Sequence, residues 1–292
     1  MKLVVLISSL IMWGALTPTS SGDELNKQDE FAVAVMSYNI RFDNPNDGSS
    51  AWPYRKDAVA DIIGRKYQVD IVGLQEVLFH QLHDLTELLP YYDWVGVGRD
   101  DGNQKGEFSP ILFRSDKFDL IATNTFWLSE KPEMPGSKSW DTSITRVVTW
   151  AKFREKETQS EFYFFNTHFD HRGQQARIES AKLLVERVNM ISENLPVIIT
   201  GDFNVNERSD AYAIMENSAS IHDARYISES KHEGPTASFN NWFEIRSPET
   251  RIDYIFVGDK VRVLKHRILD DVYNSRFPSD HLPVMSEVLF LQ

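Results

Sequence analysis

Short apolar runs alternate along this chain with amphipathic stretches, and the two kinds succeed one another from residue 31 onward. Runs rich in valine, isoleucine and aromatics predict strands over residues 31–40, 69–75, 109–114, 118–128, 145–154, 161–168, 196–203, 252–257, 262–268 and 283–291. Helices are expected over 53–66, 79–89, 174–194 and 209–216. The third is the clearest, because Ala181, Leu184, Val185, Val188 and Ile191 recur at three- and four-residue steps and make one stripe. Stretches rich in Gly, Pro, Ser and Asn at 98–109 and 228–250 have no periodicity and read as loops. Strands interleaved with helices in this way are what a layered α/β sandwich produces.

The N-terminal residues depart from that pattern. Lys2 precedes an apolar run from Leu3 to Leu16, and the small, polar stretch Thr17 to Gly22 follows. The run is about 14 residues, short of the roughly 20 that a spanning helix needs. Residues 1–22 are therefore expected to be a signal peptide, 23–30 a polar linker and 31–292 one folded domain, which places the protein outside the cell or in the periplasm. An uncleaved anchor is the alternative.

Composition narrows the chemistry. There is no cysteine, so disulfides, thiolate metal ligands and a lipidated-cysteine anchor are excluded, and oxygen and imidazole must do any metal chemistry. The net charge is −12, and loss of residues 1–22, which carry only Lys2, would make it −13. That balance disfavours sequence-independent binding of nucleic acid, which rests on lysine and arginine at phosphates. It does not disfavour phosphoester chemistry, since a bound cation inverts the local field.

Several expected strands end or begin in residues that packing alone explains poorly. Asn39 closes the first in Ser-Tyr-Asn-Ile-Arg, Glu76 the second in Leu-Gln-Glu-Val, and His168 a third in Asn-Thr-His. Asp202 and Asn204 stand in Gly-Asp-Phe-Asn, Asp253 in Arg-Ile-Asp-Tyr-Ile-Phe, and Asp280 with His281 in Ser-Asp-His-Leu-Pro. Each alone has a bland reading as turn chemistry or a satisfied polar contact. Together they converge, because strand ends in layered α/β folds meet on one rim where sites are built. Glu76, Asp280 and Asn39 offer the carboxylate and amide oxygens that Mg²⁺ or Mn²⁺ prefers. His281 would serve as a base if Asp253 orients it, and Asn204 and His168 as donors to phosphate oxygens.

These residues, in this order, resemble the endonuclease/exonuclease/phosphatase superfamily, and the resemblance spans nearly all of residues 31–292. It implies a four-layered α/β sandwich of two packed, mostly antiparallel sheets flanked by helices. It also implies Mg²⁺ or Mn²⁺ bound chiefly by Glu76 with help from Asn39 and Asp280, with Asp253 orienting His281, Asp202 positioning the attacking water and Asn204 contacting phosphate. In the deoxyribonuclease branch a glutamate seven residues before an arginine pairs with the histidine matching His168; here that is Glu107, before Arg114. Arg146, in Ser-Ile-Thr-Arg-Val-Val, resembles a strand arginine that contacts phosphate in the same branch. His171 has no counterpart across the wider family and is expected either to touch substrate or to cap the following helix. The stretches Trp-Leu-Ser-Glu, Pro-Gly-Ser-Lys and Ser-Trp-Asp resemble secreted bacterial members.

The expectation is therefore metal-assisted hydrolysis of a phosphodiester or phosphomonoester by water. The substrate is left open among nucleic acid, a lipid head group and a small phosphorylated molecule, and a non-catalytic binding protein on the same scaffold is the alternative from another class. Nothing in the chain calls for a protein partner, and it is read as a monomer. Trp140, Phe239 and Trp242 would lie near the rim, where they either stack on substrate or cover the core.

Overall fold

The computed structural model describes residues 32–218, 220–242 and 250–291. The expected signal peptide and linker lie outside the described residues. Among the described residues twelve strands form two six-stranded sheets. The first has the order β11 (Val261–Ile268), β12 (Val284–Phe290), β1 (Val33–Asn39), β2 (Ile71–Gln75), β4 (Ile111–Arg114), β3 (Tyr92–Val95). The second has the order β5 (Phe118–Trp127), β6 (Val147–Glu155), β7 (Glu161–His168), β8 (Val197–Asp202), β10 (Asp253–Gly258), β9 (Ile221–Asp223). Pairing is antiparallel except between β1 and β2 and between β7 and β8, so each sheet is mixed.

Period-two alternation sorts side chains into three apolar layers. Val33, Val35, Ile71, Phe162, Phe164, Ile198, Ile255 and Val257 meet between the sheets. Met36, Tyr38, Val72 and Leu74 turn the other way, against Ile62 and Ile63 and against Leu82 and Leu85 of α2 (Phe79–Leu88). Tyr163, Phe165, Ile199 and Phe256 pack on α3 (Gln174–Ile191) and α4 (Asp210–Glu216). The stack is helix, sheet, sheet, helix, the four-layered sandwich expected from the sequence. On α3, Ala181, Leu184 and Val188 are buried, while Val185 and Ile191 pack at the edge of the same cluster.

Between the sheets, the inward residues change character along each strand. β1 runs Val33, Val35, Ser37, Asn39; β7 runs Phe162, Phe164, Asn166, His168; β8 runs Ile198, Thr200, Asp202; β10, read backwards, runs Val257, Ile255, Asp253. One end of the layer is oil and the other is polar. A polar seam joins the sheets where the two halves meet. Asn166 accepts from Gln75 Nε2 at 2.7 Å and from Thr200 Oγ1 at 3.0 Å, and its own Nδ2 donates to the carbonyls of Leu74 and Pro110. Gly73 makes room for it, since a Cβ there would lie 2.1 Å from Thr200 Oγ1 and 2.4 Å from Asn166 Oδ1.

Three local features differ from the sequence expectation. The helix expected over 53–66 is interrupted: a 3-10 turn at Trp52–Tyr54 ends at Arg55 (φ −129°, ψ −9°), and only then do α1 (Lys56–Ala60) and a π-helical stretch at Asp61–Lys66 follow. Arg55 is the cause, because its buried guanidinium donates to the carbonyls of Ile40, Arg41, Ser50 and Pro278 and fixes the backbone where it stands. β3 is a four-residue edge strand and β9 has three residues, both too short to show a period. α5 (Ala224–Ile227) is a single turn begun by Asp223, whose carboxylate accepts from the Arg225 N–H.

Gly73→Ala is expected to cost about 2–5 kcal/mol, by overpacking and by unseating the hydrogen bonds of Asn166. A urea midpoint equal to that of the parent protein would show that the sheets are not held together at this seam.

Candidate functional site

Strand register gathers the site. His168, Asp202 and Asp253 end or begin three neighbouring strands and stand opposite one another, His168 paired with Asp202 and Asp202 with Asp253. Asn39 closes β1 opposite Gln75 of β2, and Glu76 follows in the left-handed region at φ 60°, which turns its carboxylate toward the opposite sheet. Asp280 and His281 enter from the segment before β12.

The contacts are short. Asn39 Nδ2 donates to Asp202 Oδ2 at 2.9 Å and to Glu76 Oε1 at 3.2 Å. His168 Nε2 lies 3.4 Å from Asp202 Oδ2. His281 Nδ1 hydrogen-bonds Asp253 Oδ2 at 2.8 Å, which leaves Nε2 3.7 Å from Asp202 Oδ2. Asp253 is anchored through its N–H, which donates to Ser238 Oγ at 3.0 Å, and Phe239 packs edge-on against His281 with centroids 5.0 Å apart. Asn240 and Asn241 both donate their N–H groups to the Asp280 carbonyl. The segment expected as a featureless loop thus positions two of the site's acids, and brings Trp242 to 5.5 Å from the Arg55 guanidinium.

Burial and neighbouring charge set the protonation states. Burial, and then the charge of Asp253, push the Asp202 carboxyl up to about 7, against the pull of His281 and Asn39. Burial opposes charge on His281, yet Asp253 and Asp202 on either side raise it well above the usual imidazole value. Burial, with Arg146 and Arg99 nearby, holds His168 well below that value, so it is neutral and keeps a lone pair.

A second wall is cationic. Arg146 precedes β6 and is 4% exposed; its Nη2 lies 3.3 Å from His171 Nδ1, and among the described residues nothing hydrogen-bonds its Nε or Nη1. His171 is exposed, in a loop fixed by Asp170, which accepts from the N–H groups of Arg172 and Gly173 and from Ser143 Oγ. It therefore faces Arg146 rather than capping α3, whose first-turn N–H of Ala176 is taken by Asp141.

Two expected contacts come out differently. Glu107 is gripped by both Nη atoms of Arg99 at 2.6 and 2.8 Å, and among the described residues no hydrogen bond joins it to His168. A planar guanidinium matches a carboxylate at two points, which a single imidazole cannot do. Asn39 shows its amide nitrogen to the carboxylates, while its oxygen accepts from the Arg41 N–H at 3.0 Å. In this arrangement it bridges Glu76 and Asp202. Asn204, at φ 51°, donates its Nδ2 to the Phe169 carbonyl and its N–H to Asp202 Oδ1, which leaves one amide hydrogen for a ligand.

Glu76, His168 and Asp202 each place one ligand atom within 4.8 Å of the others, and Asp202, Asp253 and His281 do the same. The first group fits a cation better, since His281 in the second has its Nδ1 bonded to Asp253 and stands between two carboxylates that raise its proton affinity. Two carboxylates and a neutral imidazole are a donor set for a divalent metal. Arg41, Asp47, Arg99 and Asp170 went unnoticed in the sequence; the turn signal Asn44-Pro45-Asn46-Asp47-Gly48 was the one available hint that Arg41 and Asp47 meet.

Comparison with known proteins agrees with this geometry. An endonuclease/exonuclease/phosphatase protein from Bacteroides vulgatus superposes with a TM-score of 0.85 at 40% identity, over 89% of this chain and 100% of that one. A mannosyl-6-phosphatase from Bacteroides thetaiotaomicron gives the same TM-score and identity, over 88% of this chain and 100% of that one. A more distant relative, the 3'-5'-exoribonuclease subunit Ccr4 of Mycosarcoma maydis, is 24% identical over 90% of this chain. The chain spans 60% and 51% of the lengths of the first two curated relatives it matches, a mimivirus protein and that Ccr4. The family model for these enzymes matches residues 36–281, and the chain belongs to the endonuclease/exonuclease/phosphatase family.

Proposed function

We propose that the protein is a Mg²⁺- or Mn²⁺-dependent phosphatase that removes the terminal phosphate from a phosphorylated sugar. The observation that carries this reading is Arg146, a buried guanidinium whose Nε and Nη1 make no hydrogen bond among the described residues, with Asp170 Oδ1 4.0 Å from Nε, beside His168 and His171 in a strongly acidic chain. Buried donors without acceptors are costly unless a ligand completes them. A phosphate monoester is doubly charged and presents three free oxygens, which suits a wall of several donors better than a singly charged diester does. The 40% identity to a mannosyl-6-phosphatase supports a sugar as the leaving group. The expected export signal at residues 1–22 would put this activity outside the cytoplasm, where glycan-derived phosphates are met.

The metal would be held by Glu76 with Asp202 and His168, and would polarise a phosphoryl oxygen as a Lewis acid. Asp202, lending one carboxylate oxygen to the metal, would hold the attacking water and take its proton with the other. His281 already carries a proton between two carboxylates, so it is assigned to stabilise charge on the phosphoryl group, and the role of base passes to Asp202. Asp253 orients His281 through Nδ1, and Asn204 offers its remaining amide hydrogen to phosphate. Glu107 serves through Arg99 as part of the cationic wall.

A second reading, a single-strand nuclease, is favoured by the match to Ccr4 along most of this chain. The two separate in a side-by-side assay with Mn²⁺ on mannose 6-phosphate, bis(p-nitrophenyl) phosphate and oligoadenylate. Faster turnover of the oligonucleotide than of the sugar phosphate would reject the phosphatase reading.

EDTA should abolish turnover and Mn²⁺ restore it. His281→Ala should lower kcat by about 10²–10⁴, the usual worth of a positioned proton-carrying group, whereas Glu76→Ala should chiefly raise the metal concentration required. Arg146→Met should leave the melting temperature close to the parent's, because donors without acceptors are removed and Asp170, which keeps its hydrogen bonds from Ser143, Arg172 and Gly173, loses only a contact at 4.0 Å, while inhibition by inorganic phosphate weakens at least about tenfold. A large fall in stability with phosphate inhibition intact would make Arg146 a structural residue.

A further inference from the structure

Arg41 follows β1 in a conformation that bulky residues avoid, at φ 58°. Its backbone is locked there: the N–H donates to Asn39 Oδ1, and the carbonyl accepts from Gln81 Nε2 at 3.1 Å and Arg55 Nη2 at 2.6 Å. Strain held by three hydrogen bonds aims the side chain, and it is aimed at the metal end of the site. The guanidinium lies among three carboxylates, and the distances rank them. Nε and Nη2 donate to the two oxygens of Asp47 at 3.1 and 3.3 Å, whereas Nη1 stands 3.7 Å from Glu76 Oε2 and Nε 3.9 Å from Asp280 Oδ2. Only Asp47 receives hydrogen bonds from the guanidinium; Glu76 Oε2, which accepts from the Phe42 N–H at 3.3 Å, and Asp280 feel its charge without being bonded to it. Asp47 is fixed in turn, in a 3-10 turn at Pro45–Ser50 whose first N–H groups are capped by Asn44.

We propose that Arg41 is a built-in counter-cation of the metal site, held back from Glu76 and Asp280 by Asp47, and that this pair sets how tightly the site takes its divalent ion. The inference rests on the metal-dependent reading given above. Between visits of the ion, Arg41 balances carboxylates that would otherwise repel one another at close range. When the ion is bound, the same charge opposes it. Asp47 limits both effects by holding the guanidinium at arm's length and offsetting its charge. Asp280, expected from the sequence to be a ligand, is on this view the partner that Arg41 shares with Glu76.

The test is calorimetric titration of Mn²⁺ into the metal-stripped full chain at fixed ionic strength, with folding checked by circular dichroism in EDTA. Arg41→Gln should bind Mn²⁺ about tenfold more tightly and Asp47→Asn about tenfold more weakly, the sign following from which charge is removed. The double variant should resemble Arg41→Gln, because Asp47 acts through Arg41. Arg41→Asn, whose side chain tolerates the left-handed region, repeats the charge removal should Arg41→Gln fold poorly. A role in folding alone would weaken binding in both single variants, and that result overturns the proposal, as does unchanged affinity in Arg41→Gln and Arg41→Asn. If the parent protein takes up no Mn²⁺, the metal reading falls and this inference with it; if the parent binds and the arginine variants match it, only this inference falls.

Discussion

Asn166 bonds to both sheets at once, and the geometry of the site depends on that junction. A buried amide must satisfy its donors and its acceptor or cost several kcal/mol. It does so only when Leu74, Gln75 and Pro110 of the first sheet and Thr200 of the second stand at their observed spacing. Apolar contacts such as Phe113 on Phe153 hold the sheets together without fixing where one lies along the other. The seam supplies the missing direction. Once it is set, the next inward residues, Asn39 with Glu76 on one sheet and His168, Asp202 and Asp253 on the other, have little freedom in how they meet.

What they meet to form is a concentration of negative charge under a low dielectric, where like charges repel far more than at the surface. Glu76, Asp202, Asp253 and Asp280 are balanced by His281 and Arg41 on one flank, and Arg146 and Arg99 stand on the other. The polarity is asymmetric, with an acid end for a cation and a basic end for an anion. A metal ion and a phosphate group are the complementary pair for such an arrangement, and neither requires a favourable net charge on the whole chain.

Much of this was legible in the sequence because strands announce themselves by period two and their polar ends interrupt it. Asp202 after Val197, Ile198, Ile199 and Thr200, or His168 after Phe164 and Phe165, stand out against an apolar background. Contacts made across turns or through long side chains left no such mark. Glu107 was matched to His168 by the resemblance to the deoxyribonuclease branch, but Arg99 lies nearer in the hairpin that carries both, and a two-pronged grip won. The break at Arg55 was hidden because a guanidinium binding carbonyls from three separate places in the chain is a tertiary event, invisible to helical periodicity. The direction of the Asn39 amide likewise depends on Arg41, whose backbone is locked by residues far along the chain.

The gradient from oil to polar along each inward face has a consequence for how such a chain tolerates change in length. Parity couples the catalytic groups to the core: on β8, Asp202 shares its face with Ile198, and on β10 Asp253 shares one with Val257. A one-residue slip of either strand against its neighbours would turn the acid and the apolar anchors outward together, so a register error cannot leave a stable but inactive sheet. A two-residue change restores parity but slides the acid by about 7 Å along the strand, out of reach of its partners. Variation in length is thereby confined to the loops beyond the strand ends, the segments that frame the mouth of the site.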